Sequence, residues 1–242
     1  MTQSASRPVA RAAQQQLVRL AARALARANL VHAYGHCSMR LDEGHFLVCA
    51  AKPMGLIRDD DEGTVVGVEG ELPEGVLGEV RIHQQIYQRR PEVGAVVRSM
   101  PRDVMTLSAA GITPAPRHGM GAYFSPGVPL WDDVQLIRSE QQACGVAEAM
   151  GAGAAVVMRG NGAVVAAESL EKTVALTWYL EDAARIELQL RSAGLASNDG
   201  ILSRQAAQQR ATSAGRIFER MWEYLIAGDI QSTGAFMNEK AQ

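Results

Sequence analysis

The chain has 242 residues, 47% hydrophobic and 21% charged, which is enough apolar material for a sizeable core and excludes a disordered or low-complexity protein. A formal net charge of −2, with no basic run, excludes a broad phosphate-attracting field, so nucleic acid is not expected as a partner. No apolar stretch approaches the roughly 18–20 residues needed to span a bilayer, Met1 to Pro8 lack the apolar segment of a signal peptide, and Cys37, Cys49 and Cys144 show no C-x-x-C spacing, so a cytoplasmic protein with reduced thiols and no membrane partner is expected.

Val9 to Asn29 opens the chain as an expected amphipathic helix, with Leu17, Leu20, Ala21, Ala24, Leu25 and Ala28 at helical spacing. His45 to Ala50 and Thr64 to Glu69 read as short strands. Val76 to Arg90 reads as a helix stopped by Pro91, which cannot continue one, and a strand from Val93 to Arg98 follows. Pro114, Pro116, Pro126 and Pro129, with the glycines between Gly111 and Gly127, mark a long irregular segment ending near Trp131. Ordered loops of that length are often functional.

Asp132 to Met150 reads as a further helix. Ala154 to Ala167 forms two valine-rich runs around Asn161-Gly162, a hairpin signal because both turn residues accept the positive φ of a type I′ turn. Ser169 is placed as an N-cap, with Lys172 where a capping box carries Glu, opening a helix to about Leu190. After a break at Ser197 to Gly200, Arg204 to Ile226 reads as one more helix. Helices flanking a sheet with a hairpin point to a mixed α/β layer sandwich, not a doubly wound parallel sheet. A single domain over residues 1–242 is expected, with residues 200–242 as a C-terminal helical extension.

Four stretches carry a family resemblance over roughly residues 14–192: Gly35-His36-Cys37-Ser38-Met39-Arg40; Gly78-Glu79 through His83 and Tyr87 to Arg90-Pro91-Glu92-Val93; Val96 to Pro101; and Met158-Arg159-Gly160-Asn161-Gly162. In this order and spacing they resemble the class II aldolase/adducin family, and within it the branch that decarboxylates small aromatic acids. The resemblance implies a three-layer α/β sandwich with a central, mainly antiparallel sheet flanked by helices, and an oligomer, usually a tetramer. It also places Glu79 at the family's acid/base position, where a carboxylate must sit near the reacting carbon.

The resemblance is broken at the family's metal ligands. Active members carry Val-His-Thr-His-Pro or a close variant where this chain has Val97-Arg98-Ser99-Met100-Pro101, and Arg-Gly-His-Gly where it has Arg159-Gly160-Asn161-Gly162. Arg98, Met100 and Asn161 thus stand at the three ligand positions, and no metal or other cofactor is expected. The family's phosphate clasps are replaced as well, one by Leu77-Gly78 and the other around Ala50 to Gly55, and His36 marks the decarboxylase-like branch.

From this follows an expected lyase acting on a small non-phosphorylated carboxylate without a divalent metal. Arg98 would anchor the anion as a bidentate fork and Glu79 would handle a proton, with His36, Lys52, Asn161 and His118 as further substrate-binding candidates. The competing expectation is a non-catalytic binding, structural or regulatory protein, because the family includes adducin, which keeps the fold without the metal ligands.

Overall fold

The computed structural model describes residues 9–232; the outer ends of the expected domain, including part of the expected extension, lie outside the described residues. The chain opens with α1 (Ala12–Arg27), followed by β1 (His36–Arg40), β2 (His45–Val48) and β3 (Thr64–Gly67). A 3₁₀ turn at Gly78–Val80 leads directly into α2 (Arg81–Arg89), then β4 (Ala95–Ser99), α3 (Arg102–Ala109), β5 (Leu130–Trp131) and α4 (Glu140–Met150). The hairpin strands β6 (Ala155–Met158) and β7 (Ala163–Ala167) precede α5 (Leu170–Ser192), α6 (Arg204–Arg210) and α7 (Ile217–Ile226).

The seven strands form one sheet in the order β3-β2-β1-β4-β7-β6-β5, antiparallel throughout except for the β5–β6 pair. Strand β4, Ala95-Val96-Val97-Arg98-Ser99, is buried at every position. A strand covered on one face alternates buried and exposed side chains, so this pattern requires a layer on each face. Val96 packs with Ile82 and Ile86 of α2 and Val146 and Met150 of α4. Its neighbours Ala95 and Val97 point the other way, into a cluster with Leu25 of α1 and Val174 of α5. The fold is the three-layer α/β sandwich expected from the sequence.

Strand β1 has the alternation of a strand, His36, Ser38 and Arg40 polar against Cys37 and Met39 apolar, yet the helix-like stretch before it draws attention away from that period. Its register puts His36 opposite Arg98 and Ser38 opposite Val96. Since Val96 faces α2, His36, Ser38 and Arg98 emerge on the α2 side of the sheet.

Several elements differ from expectation. Val76 and Leu77 precede the helix, and Glu79 lies in its leading 3₁₀ turn. The expected helix from Asp132 starts only at Glu140, because Ser139 caps it: Ser139 Oγ accepts from the Gln142 amide and the Gln142 side chain reaches back. The Asn-Gly hairpin forms, but the positive φ falls on Gly160 (60°) and Gly162 (83°), so the turn is not type I′ over Asn161-Gly162. The expected helix from Arg204 to Ile226 divides around Gly215, where φ is 73°. The apolar face of α7 packs on its own domain: Phe218 and Leu225 are buried, with Met221 and Trp222 against the same clusters.

Candidate active site

A cavity of about 840 Å³ opens where the β1 and β4 ends meet the start of α2 and the turn after β6. Arg98, Met100 and Asn161, the three positions that the resemblance assigns to metal ligands, all line it, together with Glu79, His36 and Lys52. The fold therefore gathers five of the six candidate residues into one site. His118 is the exception: it does not line the cavity, and its Nε2 pairs at 2.9 Å with Asp182 of α5. Lys52 reaches the rim but is half exposed and already ion-paired with Asp61, which limits its charge to a peripheral role.

Glu79, His83 and Tyr87 are four residues apart, so the 3₁₀ turn and α2 present all three on one face toward the sheet. Arg98 meets this face from β4. Its Nε lies 3.2 Å from Glu79 Oε2, and its Nη2 donates to Asn161 Oδ1 at 2.8 Å. His36 Nε2 is 3.9 Å from the same Glu79 oxygen. Behind His36 runs a buried chain: His36 Nδ1 to His83 Nε2 at 2.8 Å, His83 Nδ1 to Ser38 Oγ at 2.6 Å, and Ser38 Oγ to Tyr87 Oη at 2.9 Å. Neither the role of His83 nor that of Ser38 was drawn from the sequence. The i, i+4 spacing of His83 from both Glu79 and Tyr87 was the available signal.

Five buried polar atoms at this site have no hydrogen-bond partner: His36 Nε2, Glu79 Oε1, Arg98 Nε and Nη1, and Asn161 Nδ2. Buried polar groups are nearly always satisfied, so a converging set left open marks a place for a ligand. Four of the five belong to nitrogen groups able to donate, an arrangement suited to an anion.

Electrostatics reinforce this. Burial drives the basicity of His36 down, partly opposed by Glu79, and drives that of His83 well down, so both imidazoles are neutral near pH 7. Burial alone would push the Glu79 carboxyl up, but the His36 contact, the Arg98 charge and Asn161 outweigh it and hold it below its ordinary value. With His36 neutral, the lasting positive charge beside Glu79 is that of Arg98, whose basicity burial lowers without making it titrate in the physiological range.

The residues do not suit a divalent metal. A guanidinium occupies one ligand position and repels a cation, a carboxamide and a thioether are feeble partners for zinc or manganese, and no group of three or more His, Cys, Asp or Glu able to hold a metal occurs among the described residues. The turn carrying Asn161 is fixed by Gly162, where an added Cβ would fall 2.0 Å from the Ser99 carbonyl oxygen. Arg40, one of the residues carrying the resemblance, is structural: it donates to the carbonyls of Tyr87, Arg90 and Val93 and so closes the end of α2.

Arg138 is a further cation that sequence reasoning missed. The expected helix would have absorbed it, whereas the loop before Ser139 brings Leu136, Ile137 and Arg138 to the cavity. Its guanidinium is exposed and has no side-chain partner among the described residues. Tyr34, Leu77 and Leu136, each exposed, give the mouth an apolar rim.

Residues 15–188 match the family described as "Class II Aldolase and Adducin N-terminal domain". The chain belongs to this family. It is 32% identical over 211 residues to the 3,4-dihydroxyphthalate decarboxylase of Arthrobacter keyseri, covering 79% of this chain and 84% of that protein. Among solved structures, L-fuculose-1-phosphate aldolase from Thermus thermophilus is similar at a TM-score of 0.69 and 28% identity, over 77% of this chain and 98% of that one. The L-fuculose 1-phosphate aldolase of Glaciozyma antarctica has a TM-score of 0.74 at 20% identity, over 95% and 91% of the two chains, which supports the shared class II aldolase fold. No helix among the described residues is long and apolar enough to cross a membrane.

Proposed function

We propose that this class II aldolase family member is a metal-independent lyase that decarboxylates a small, non-phosphorylated, hydroxylated aromatic carboxylate. The observation that carries the reading is the pairing of open donors on Arg98, Asn161 and His36 with a single ionised carboxylate, Glu79, at the base of an apolar-rimmed cavity. The similarity to a dihydroxyphthalate decarboxylase supports the substrate class, since that substrate carries two carboxylates and two hydroxyls on one ring. Arg98 within the cavity and Arg138 at its mouth offer two cations for two carboxylates.

In this reading Arg98 and Asn161 hold the anionic substrate, and the ring lies against Tyr34, Leu77 and Leu136. Glu79, ionised at rest, takes the proton of a ring hydroxyl and delivers it to the ring carbon that bears the carboxylate. The bond from that carbon to the carboxylate then breaks, its electron pair returns to the ring, and CO₂ leaves. The hydroxyl regains a proton from water, so one proton is consumed per CO₂ released. Arg98 stabilises the negative charge while it is spread over the ring oxygens, the service that a metal would otherwise supply.

A homo-oligomer belongs to the same proposal, although α7 offers it no free stripe; light scattering at micromolar concentration decides between oligomer and monomer. The function itself is tested by incubating the protein with dihydroxyphthalates, hydroxybenzoates and a sugar phosphate and following product by chromatography. Decarboxylated product from an aromatic acid supports the reading. Cleavage of the sugar phosphate alone, or binding without turnover of any aromatic acid, overturns it.

A further inference from the structure

We propose that Ser38, His83 and Tyr87 are positioning residues that lock His36 in its Nε2–H tautomer, so that a neutral N–H donor points into the cavity beside Glu79. The inference rests on the active-site reading above for its catalytic meaning, but its geometric claim stands apart from any particular reaction.

A neutral imidazole donates from one nitrogen and accepts at the other, so the His83–His36 pair at the end of the chain from Tyr87 and Ser38 has only two polarities. In one, Tyr87 Oη donates to Ser38 Oγ, Ser38 donates to His83 Nδ1, and His83 Nε2 donates to His36 Nδ1, which leaves the proton of His36 on Nε2. In the other, both imidazoles reverse: His36 Nδ1 donates to His83 Nε2, His83 Nδ1 donates to Ser38 Oγ, and His36 presents a lone pair to the cavity.

Two independent features select the first. Reversal makes Ser38 Oγ an acceptor from His83 Nδ1, so one of the two buried hydroxyl hydrogens, that of Ser38 or that of Tyr87, is left without an acceptor among the described residues. Reversal also turns the Nε2 lone pair toward the Glu79 carboxylate oxygen 3.9 Å away, a repulsive arrangement that an N–H converts into attraction. All four side chains are buried, so water does not compete for the chain.

The chain orients a proton and does not conduct one. If His36 gave up its Nε2 proton and each partner shifted a proton along, the deficit would reach Tyr87 as a buried phenolate. Burial pushes that phenol well above its ordinary value, which opposes the charge. His36 is thus a fixed hydrogen-bond donor to a substrate oxygen, and the proton that moves to carbon is left to Glu79.

Histidine tautomers are read directly from two-bond ¹H–¹⁵N correlation spectra of protein labelled with ¹⁵N-histidine, with His36 and His83 assigned through His36→Gln and His83→Gln. Both rings are expected to show the neutral Nε2–H pattern across about pH 6–8. An Nδ1–H pattern, tautomer averaging or an imidazolium at His36 in the wild-type protein overturns the proposal. Ser38→Ala removes the donor to His83 Nδ1 and is expected to convert the single His36 pattern into an averaged one, whereas an unchanged pattern overturns the lock. If Ser38→Ala does not fold, the wild-type spectrum still decides. Where decarboxylation is observed, Ser38→Ala should lower kcat roughly 10- to 100-fold with KM little changed, the usual scale for a residue that orients another. Absence of turnover in the wild type would refute the decarboxylase reading while leaving the spectroscopic test of the tautomer intact.

Discussion

Arg98 Nε lies 3.2 Å from Glu79 Oε2 but without hydrogen-bond alignment, so the pair is neutralised in charge while keeping its directional capacity open. A guanidinium spent wholly on its carboxylate would have little left for a ligand. Here Nε and Nη1 remain available beside a cavity, and the one bond Arg98 does make, to Asn161, holds the fork in place.

Arg98→Ala should weaken binding of an aromatic carboxylate about 10- to 100-fold, the equivalent of roughly 1.5–3 kcal/mol in lost charge-assisted hydrogen bonds. Arg98→Lys should recover only part of this, because a point charge cannot reproduce the fork. Isothermal titration with a hydroxybenzoate measures both. Unchanged affinity in Arg98→Ala would remove Arg98 from the binding site.

Loss of Arg98 should also move the acid limb of the pH–rate profile. In the wild type the Glu79 carboxyl sits below its ordinary 4.5, so the carboxylate proposed to accept the first proton persists below pH 4.5. Without the Arg98 charge, burial is less opposed and the carboxyl rises, so kcat/KM in Arg98→Ala should begin to fall at higher pH than in the wild type. An acid limb at the same pH in both would mean that Glu79 does not titrate in the reaction.

Gly162→Ala tests whether the turn, and not only the side chain, builds the site. The new Cβ would meet the Ser99 carbonyl at 2.0 Å while φ is 83°, so backbone must move and Asn161 with it. A fall in melting temperature together with weakened carboxylate binding is expected. Unchanged melting and binding would show that the turn adapts freely.

Acid stability should depend on a cluster that does not line the cavity. Asp229 has a buried side chain that receives two bonds from Arg23, at 2.8 and 2.9 Å, and one from Arg27. Burial would raise its carboxyl, but these bonds and the Gln231 amide win and bring it down to about 2. A carboxyl depressed on folding contributes stability that is full above its unfolded value, 3.8, and is lost as pH falls through the folded one. On the order of 2 kcal/mol should therefore disappear between about pH 4 and pH 2. Melting of the wild type should fall in that window, and Asp229→Asn should be less stable at pH 7 with a flatter acid profile. Parallel profiles would refute the assignment.

The sequence made the sheet and its helical covering legible because their signals are local: valine runs for β4, β6 and β7, and Ser169 before α5. Strand β1 is short and its alternating residues coincide with a motif, and the start of α4 is set by the Ser139–Gln142 capping box inside the longer Asp132 to Met150 span. At the candidate site, Glu79, Arg98, His36 and Asn161 are legible only through resemblance to a family, and they line one cavity because the β1–β4 and β4–β7 registers and the packing of α2 on the sheet act together, which no single stretch encodes. His118 failed for the same reason in reverse: an attractive residue in a functional-looking loop is directed by α5 to Asp182. His83, Ser38 and Arg138 depend on contacts between elements distant in sequence, which is why only the folded chain reveals them.

The most direct test is CO₂ release from a hydroxylated aromatic acid by protein exhaustively treated with a chelator and shown by elemental analysis to be metal-free, with Glu79→Gln run alongside. The account predicts CO₂ from the metal-free wild type at the rate of the untreated protein, and a rate lowered roughly 10²- to 10⁴-fold in Glu79→Gln with substrate affinity retained. Activity that vanishes with the chelator and returns with added zinc or manganese, or full activity in Glu79→Gln, would contradict it.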